Sequence, residues 1–195
     1  MKFIDQLKEK AKQNKKTIVL PETLDMRTIE AAGKVLAEGI ANIILVGDKE
    51  DIMSRAGDID LSGASFVDPK NYEKFDEYVD AFVEMRRKKG MTEARAKELL
   101  LTNPLYFGCM MVKQDDADGM VAGAINASAD VLRAALQTLK TAPGTRIVSA
   151  FFLVVVPDCQ YGANGTFVFA DAGLNQSPSA SELADIAEQS AKSSG

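Results

Sequence analysis

At 195 residues, 46% hydrophobic and 26% charged, the chain has the composition of a soluble globular protein, with room for one large domain or one and part of another. Its net charge of −5, with Lys and Arg scattered, argues against a nucleic-acid surface, and no apolar run approaches membrane length. Histidine is absent, which removes Ser–His and Cys–His nucleophilic systems and histidine metal sites, leaving carboxylate, Lys, Tyr or Cys as a base.

The opening MKFIDQLKEKAKQNKK is charged throughout, unlike a signal peptide, and Phe3, Ile4, Leu7 and Ala11 share one face of a predicted helix over Phe3–Asn14. Thr17–Leu20 reads as a buried strand ending at Pro21, Arg27–Glu38 as a helix, and Asn42–Val46 as a strand closed by Gly47. A short helix over Lys49–Arg55 and a strand over Ser65–Val67 follow, the latter before Asp68-Pro69. Helices are predicted over Tyr72–Lys88 and Thr92–Leu101, separated by Gly90, and a strand over Gly119–Ala122. The basic cluster Arg86-Arg87-Lys88-Lys89 reads most simply as a solvated helix end. Short apolar strands alternating with helices predict an α/β fold, a parallel doubly wound sheet with helices on both faces. Ligands in such folds bind beyond the carboxyl ends of the strands, so the segments after Leu20, Val46 and Ala122 belong on the functional edge.

The stretch DGMVAGAINASADVLR, Asp118–Arg133, carries the most chemistry. A strand enters a turn at Gly123 and then an amphipathic helix, with Asn126 and Ser128 both competent N-caps. Helix N-termini attract anions, and Arg133, about one and a half turns in, leans back toward that end. Asp130 satisfies the same dipole without a ligand, so a phosphate site and an ordinary capped helix both stand on spacing alone. Cys109 and Cys159 form no CxxC and predict free thiols in a reducing cytoplasm. Cys109, beside Met110 and Met111, reads as core, and Cys159 as an inert buried or half-buried thiol.

From Arg146 the texture changes. RIVSAFFLVVVPDC and TFVFADAG, joined by QYGANG, read as an antiparallel pair, and Ser179-Ala-Ser-Glu182 as a capping box. Behind that box Leu183, Ile186, Ala187, Ser190 and Ala191 share a helical face. Residues 1–145 are therefore expected to form a first α/β domain, and 146–195 the beginning of a second or an extension of the first sheet. A strand pair with one helix buries little core, so the chain reads as truncated. Asp158 and Asp171, at the ends of these strands, resemble a carboxylate pair for acid–base work.

The blocks NPLYFGCMMVKQDDADGMVAGAINASADVLRAALQ and VSAFFLVVVPDCQYGANGTFVFADAGLNQSPSASELADIA resemble the phosphate acetyltransferase (phosphotransacetylase) family. TIVLPETLDMRTIEAA and YVDAFVEMRRKKGMTEARAKELL fit the same family in the same order. The resemblance spans nearly the whole chain and implies reversible acetyl transfer between acetyl-CoA and inorganic phosphate, giving acetyl phosphate and coenzyme A. It implies a cytoplasmic homodimer of two-domain α/β subunits with an interdomain active site. Coenzyme A enters as substrate; no cofactor is permanently bound, and no metal, nucleic acid or membrane is involved.

The implied mechanism is attack of the coenzyme A thiolate on the acetyl phosphate carbonyl, with an Asp base assisted by Ser and Arg. A positioned base is worth roughly 10²–10⁴-fold for a thiol that is mostly protonated at neutral pH. The resemblance puts the catalytic Ser, Arg and Asp beyond residue 195, so it implies no catalytic residue in this chain. It makes Arg133 a substrate-site arginine and Arg87 a second, with Arg86 adjacent and the register open by one. Asn126 and Ser128 join them as substrate-binding candidates, and Cys159 lies near the active site without being the nucleophile. Departures are Asn126, where relatives often carry His, and Ala134, where they often carry Pro. The alternatives are an inactive truncated fragment that keeps part of a CoA/phosphate-binding site, and a phosphate butyryltransferase-like acyltransferase.

Overall fold

The computed structural model describes residues 3–194; Met1, Lys2 and Gly195, which close the two predicted spans, lie outside the described residues. Strands β1 (Thr17–Leu20) and β2 (Asn42–Val46) run parallel, in register from Thr17 opposite Asn42 to Leu20 opposite Leu45. β3 (Ser65–Val67) adds to β2 and β4 (Gly119–Met120) to β1, giving a parallel sheet in the order β3-β2-β1-β4. Because strand side chains alternate, each central strand supplies both faces. Val19, Ile44 and Val46 point to one core, while Leu20, Ile43 and Leu45 point to the other.

The second face is covered by α2 (Met26–Glu38) and α3 (Lys49–Ala56) through Ile29, Ala32 and Ile52. Their caps follow the sequence: Asp25 accepts from Arg27 N–H and Asp48 from Asp51 N–H. The first face carries α4 (Phe75–Arg86), α5 (Glu93–Thr102), α6 (Pro104–Lys113) and α7 (Ser128–Thr138). This is the doubly wound α/β arrangement that the alternation predicts. α1 (Phe3–Gln13) has no buried residue; Lys8 pairs with Glu38 at 2.6 Å, and the predicted apolar stripe leaves Ile4 and Leu7 exposed.

α6 escapes the periodicity reading. Every residue from Leu105 to Met111 is buried, so the helix has no polar face to set a 3.6-residue contrast. Its start is nonetheless written in the chain: Asn103 accepts from Leu105 N–H at 3.1 Å and Pro104 occupies the first turn. Gly108 lets α6 press on the sheet, because a Cβ there would lie 2.8 Å from Met120 Sδ and 3.3 Å from Val19 Cγ1. The predicted helix over Tyr72–Lys88 is shorter, since Asp68-Pro69 nucleates a 3₁₀ turn at Pro69–Asn71 and leaves Tyr72 extended. Beyond Arg86 it tightens into another 3₁₀ turn, closed by Gly90 in the left-handed conformation. The predicted strand Gly119–Ala122 keeps two ladder residues. Before it, the Tyr72 and Tyr78 hydroxyls and Lys74 Nζ converge on Asp116, and Asp118 accepts from Thr17 N–H at 2.8 Å.

The chain divides into two compact units, one of Leu7–Lys140 and one that gathers the residues from Thr141 onward with those before Leu7. In the latter, β5 (Phe151–Val155) and β6 (Thr166–Ala170) pair antiparallel, Phe151 opposite Ala170 through Val155 opposite Thr166. The long apolar runs thus contribute only five residues each to the ladder. Asp171 gathers N–H groups of Ala150, Leu174 and Asn175, so it shapes the loop after β6. α8 (Ala180–Ser194) opens with the predicted capping box: Ser179 N–H donates to Glu182 at 2.7 Å, and Glu182 N–H to Ser179 Oγ at 3.4 Å. Its buried face is narrower than predicted, with Ile186 and Ser190 inside and Leu183, Ala187 and Ala191 outside.

Candidate functional site

The strand order places a reversal between β1 and β4, since the chain moves outward from β1 through β2 to β3 and then returns to β1's other side. The crevice beyond the carboxyl ends of two such strands is where open α/β sheets bind ligands. It is formed here by Pro21-Glu22-Thr23 after β1 and by Val121–Ala127 after β4. Thr23 Oγ1 donates to Val46 C=O at 2.6 Å and Arg55 Nη1 to Thr23 C=O at 2.6 Å, so the residue after Glu22 is tied on both sides.

Glu22 is buried, and its carboxylate is the acceptor for the whole β4–α7 turn. Oε2 receives Gly123 N–H at 2.5 Å and Ala124 N–H at 2.6 Å. Oε1 receives Ile125 N–H at 3.0 Å, Asn126 N–H at 2.7 Å and Asn126 Nδ2 at 2.8 Å. Burial works to raise the carboxyl's pKa, but the donors from Asn126, Ala124 and Ile125 outweigh it and hold it at about 2. Four successive N–H groups aimed at one anion require an unusual turn, and Gly123 at φ 111° supplies it. On the far side of the turn, Arg27 Nη2 donates to Ala124 C=O at 2.6 Å while also pairing with Asp25.

These contacts assign the predicted residues differently from the capped-helix reading. The N-cap of α7 is Ala127, with no side-chain bond; Asn126 turns to Glu22 instead, and Ser128 is the exposed first helical residue. The turn's N–H groups are not free, because Glu22 takes them. Arg133 does lean back along its helix, and Nη1 meets Asp130 Oδ1 at 2.5 Å with the side chain 58% exposed.

Arg87 points to solvent, pairing with Glu84 at 2.6 Å and 73% exposed. Arg86 behaves otherwise: its Nε is buried and has no hydrogen-bond partner among the described residues. Between α4 and α7 stands Tyr106 of α6, whose hydroxyl donates to Gln137 Oε1 at 3.2 Å and whose ring packs on Phe82. Burial pushes the Tyr106 phenol up, while the positive charges of Arg133 and Arg86 pull against it. Tyr106 and Gln137 are joined directly, and Arg86 and Arg133 are the positive charges whose fields reach the phenol. Cys159 is half-buried in the β5–β6 loop, in the other unit. Cys109 is buried, which raises its thiol pKa. Among the described residues no group of three or more His, Cys, Asp or Glu is placed to hold a metal ion.

Glu22, Tyr106 and Gln137 are the residues that sequence reading missed. An acidic residue directly after a buried strand and a proline was the available signal for Glu22, but its donors lie about a hundred residues away.

A doubly wound parallel sheet with its polar groups gathered at the strand reversal defines the class of protein. The chain belongs to the phosphate acetyl/butaryl transferase family, whose model matches residues 2–194. It is 52% identical over 193 residues to a phosphate acetyltransferase of Acetivibrio thermocellus, covering 99% of this chain and 58% of the relative. It is 53% identical over 191 residues to one of Thermoanaerobacterium thermosaccharolyticum, covering 98% of this chain and again 58% of the relative. In structure it is similar to the EutD phosphotransacetylase from Staphylococcus aureus, with a TM-score of 0.86 and 36% identity over 98% of this chain and 56% of that one. The chain thus spans somewhat more than half the length of the proteins it matches.

Proposed function

We propose that the chain serves phosphate acetyltransferase chemistry, reversible transfer of acetyl between coenzyme A and inorganic phosphate. In one direction the coenzyme A sulfur bonds to the acetyl carbonyl carbon, the carbon–oxygen bond to phosphate breaks, and the thiol proton passes to a base. Reactants and products carry phosphate groups, so the groups most useful here are guanidinium donors in a partly desolvated setting. Arg133 and Arg86 supply them; the observation that carries this reading is that Arg133 lies on the helix that follows the strand reversal, while Arg86 holds a buried Nε with no partner among the described residues. Asn126 and Ser128 line the same turn, and Cys159 stays a bystander thiol. Of the adjacent pair, Arg86 is the better second arginine, since its Nε is buried without a partner among the described residues while Arg87 pairs with Glu84 in solvent.

We read the protein as a cytoplasmic homodimer in which coenzyme A comes as substrate, and residues 146–195 as the opening of a second domain. Two free cysteines suit a reducing compartment. Coenzyme A binding by calorimetry, measured on the parent chain and on Arg133→Ala and Arg86→Ala, tests the assignment. Coenzyme A binding lost in both variants supports the paired-arginine site. Binding unchanged in both overturns it.

A further inference from the structure

The reversal crevice of an open α/β sheet ordinarily receives its anion from outside. Here the anion is part of the chain. The Glu22 carboxylate accepts four consecutive backbone N–H groups, Gly123 to Asn126, and the Asn126 amide as well, all within 3.0 Å. Capturing those N–H groups turns the segment's backbone inward and leaves Val121 and Ile125, both apolar, exposed at 63% and 56%. α7 begins at Ser128, one residue past Ala127, so the orientation of its first turn is set by where that segment is held. Arg133 reaches back over the same turn to Asp130. Arg27 also holds the loop from its other side, at the Ala124 carbonyl, at 2.6 Å.

We propose that Glu22 is a positioning residue: an internal anion that fills the slot at the strand reversal and sets the β4–α7 turn so that Arg133 is aimed for coenzyme A. This rests on the substrate-site reading of Arg133 given above. The carboxylate touches no reacting group; it acts through backbone N–H groups that a neutral side chain cannot satisfy. A glutamine offers one acceptor oxygen, and its NH₂ then faces N–H donors, leaving at least part of the turn unpaired. A consequence is that free phosphate does not lodge in these N–H groups, because the chain's own carboxylate already holds them.

The test uses Glu22→Gln, Arg133→Ala and the double variant in the full chain, with coenzyme A affinity by calorimetry and amide hydrogen exchange of residues 123–126. Glu22→Gln is expected to accelerate exchange at Gly123–Asn126 while leaving β1 and β2 amides as they were. It is also expected to weaken coenzyme A about tenfold or more, with no further loss when Arg133 is already Ala, the mark of two residues acting through one contact. Multiplying losses overturn the proposal, as does unchanged affinity in Glu22→Gln. Should Glu22→Gln fail to fold, Glu22→Asp keeps the charge but shortens the reach; it is expected to weaken coenzyme A, and parental affinity in it also overturns the proposal. If Arg133→Ala alone binds coenzyme A like the parent, the substrate-site reading falls, and it falls independently of whether the exchange pattern around Glu22 changes.

Discussion

Two pairs of apolar strands in this chain have nearly the same composition and different fates. β1 and β2 are packed on both sides, with Val19 and Leu45 fully buried. β5 and β6 are at least as apolar, yet Phe152 and Phe169 are 63% and 57% exposed. The difference is the supply of covering helices: six helices from α2 to α7 flank the first sheet, whereas α8 is the helix that packs chiefly on β6. An apolar run therefore reports that a strand can be buried, and the elements around it decide whether it is. Both pairs end in a carboxylate that collects backbone N–H groups, Glu22 after β1 and Asp171 after β6. Glu22 is 3% exposed, whereas Asp171 is only half-buried.

The largest expected effect separates the two sheets directly. Phe107→Ala removes a fully buried ring from the α6 core and is expected to cost about 3–5 kcal/mol in urea unfolding. Phe152→Ala, on the exposed pair, is expected to cost less than about 1 kcal/mol, and a comparable loss would erase the distinction.

Acid comes next. Glu22 has its pKa depressed from the ordinary 4.5 to about 2, so its stabilisation is complete above pH 4.5 and is lost as pH falls toward 2. The contribution is on the order of 3 kcal/mol, and Glu22→Gln should flatten the fall in urea midpoint across that window. An equally steep fall in the variant would show that other carboxylates carry it. Asp171 is also depressed: burial opposes, and donors from Asn175, Ala150 and Leu174 prevail. Its more open setting predicts a shallower response in Asp171→Asn.

Gly108→Ala probes how tightly α6 lies on the sheet. The added methyl meets Met120 Sδ, which can swing away, and Val19 Cγ1, which cannot easily do so. A loss of about 1–3 kcal/mol is expected, and a neutral result would mean that α6 has room to lift. The smallest effect is that of Arg87→Ala, within about 0.5 kcal/mol and without change in coenzyme A affinity, since its partner Glu84 is equally exposed. A weakened affinity there would return the second site arginine from Arg86 to Arg87.

What the chain's local order determined is the architecture of its first unit. Strand alternation, the stop at Gly90 and the Ser179–Glu182 box depend on neighbours a few residues away, and they read correctly for that reason. Arg133 was legible for the same reason, as helix geometry alone turns it back over its own first turn. Tertiary structure decided the rest. α6 vanished from the periodicity because a helix buried all round shows no polar stripe. Arg86 and Arg87 are alike in sequence, and only the packing of α4 beside α6 turned one inward and left the other in solvent. Asn126 and Ser128 looked like caps, but Glu22, about a hundred residues away, holds Asn126 by its backbone and side-chain N–H groups, and α7 starts from Ala127 with no side-chain cap. A buried carboxylate that meets five N–H groups fixes the segment ahead of α7, and that arrangement exists only when β1 and β4 lie side by side.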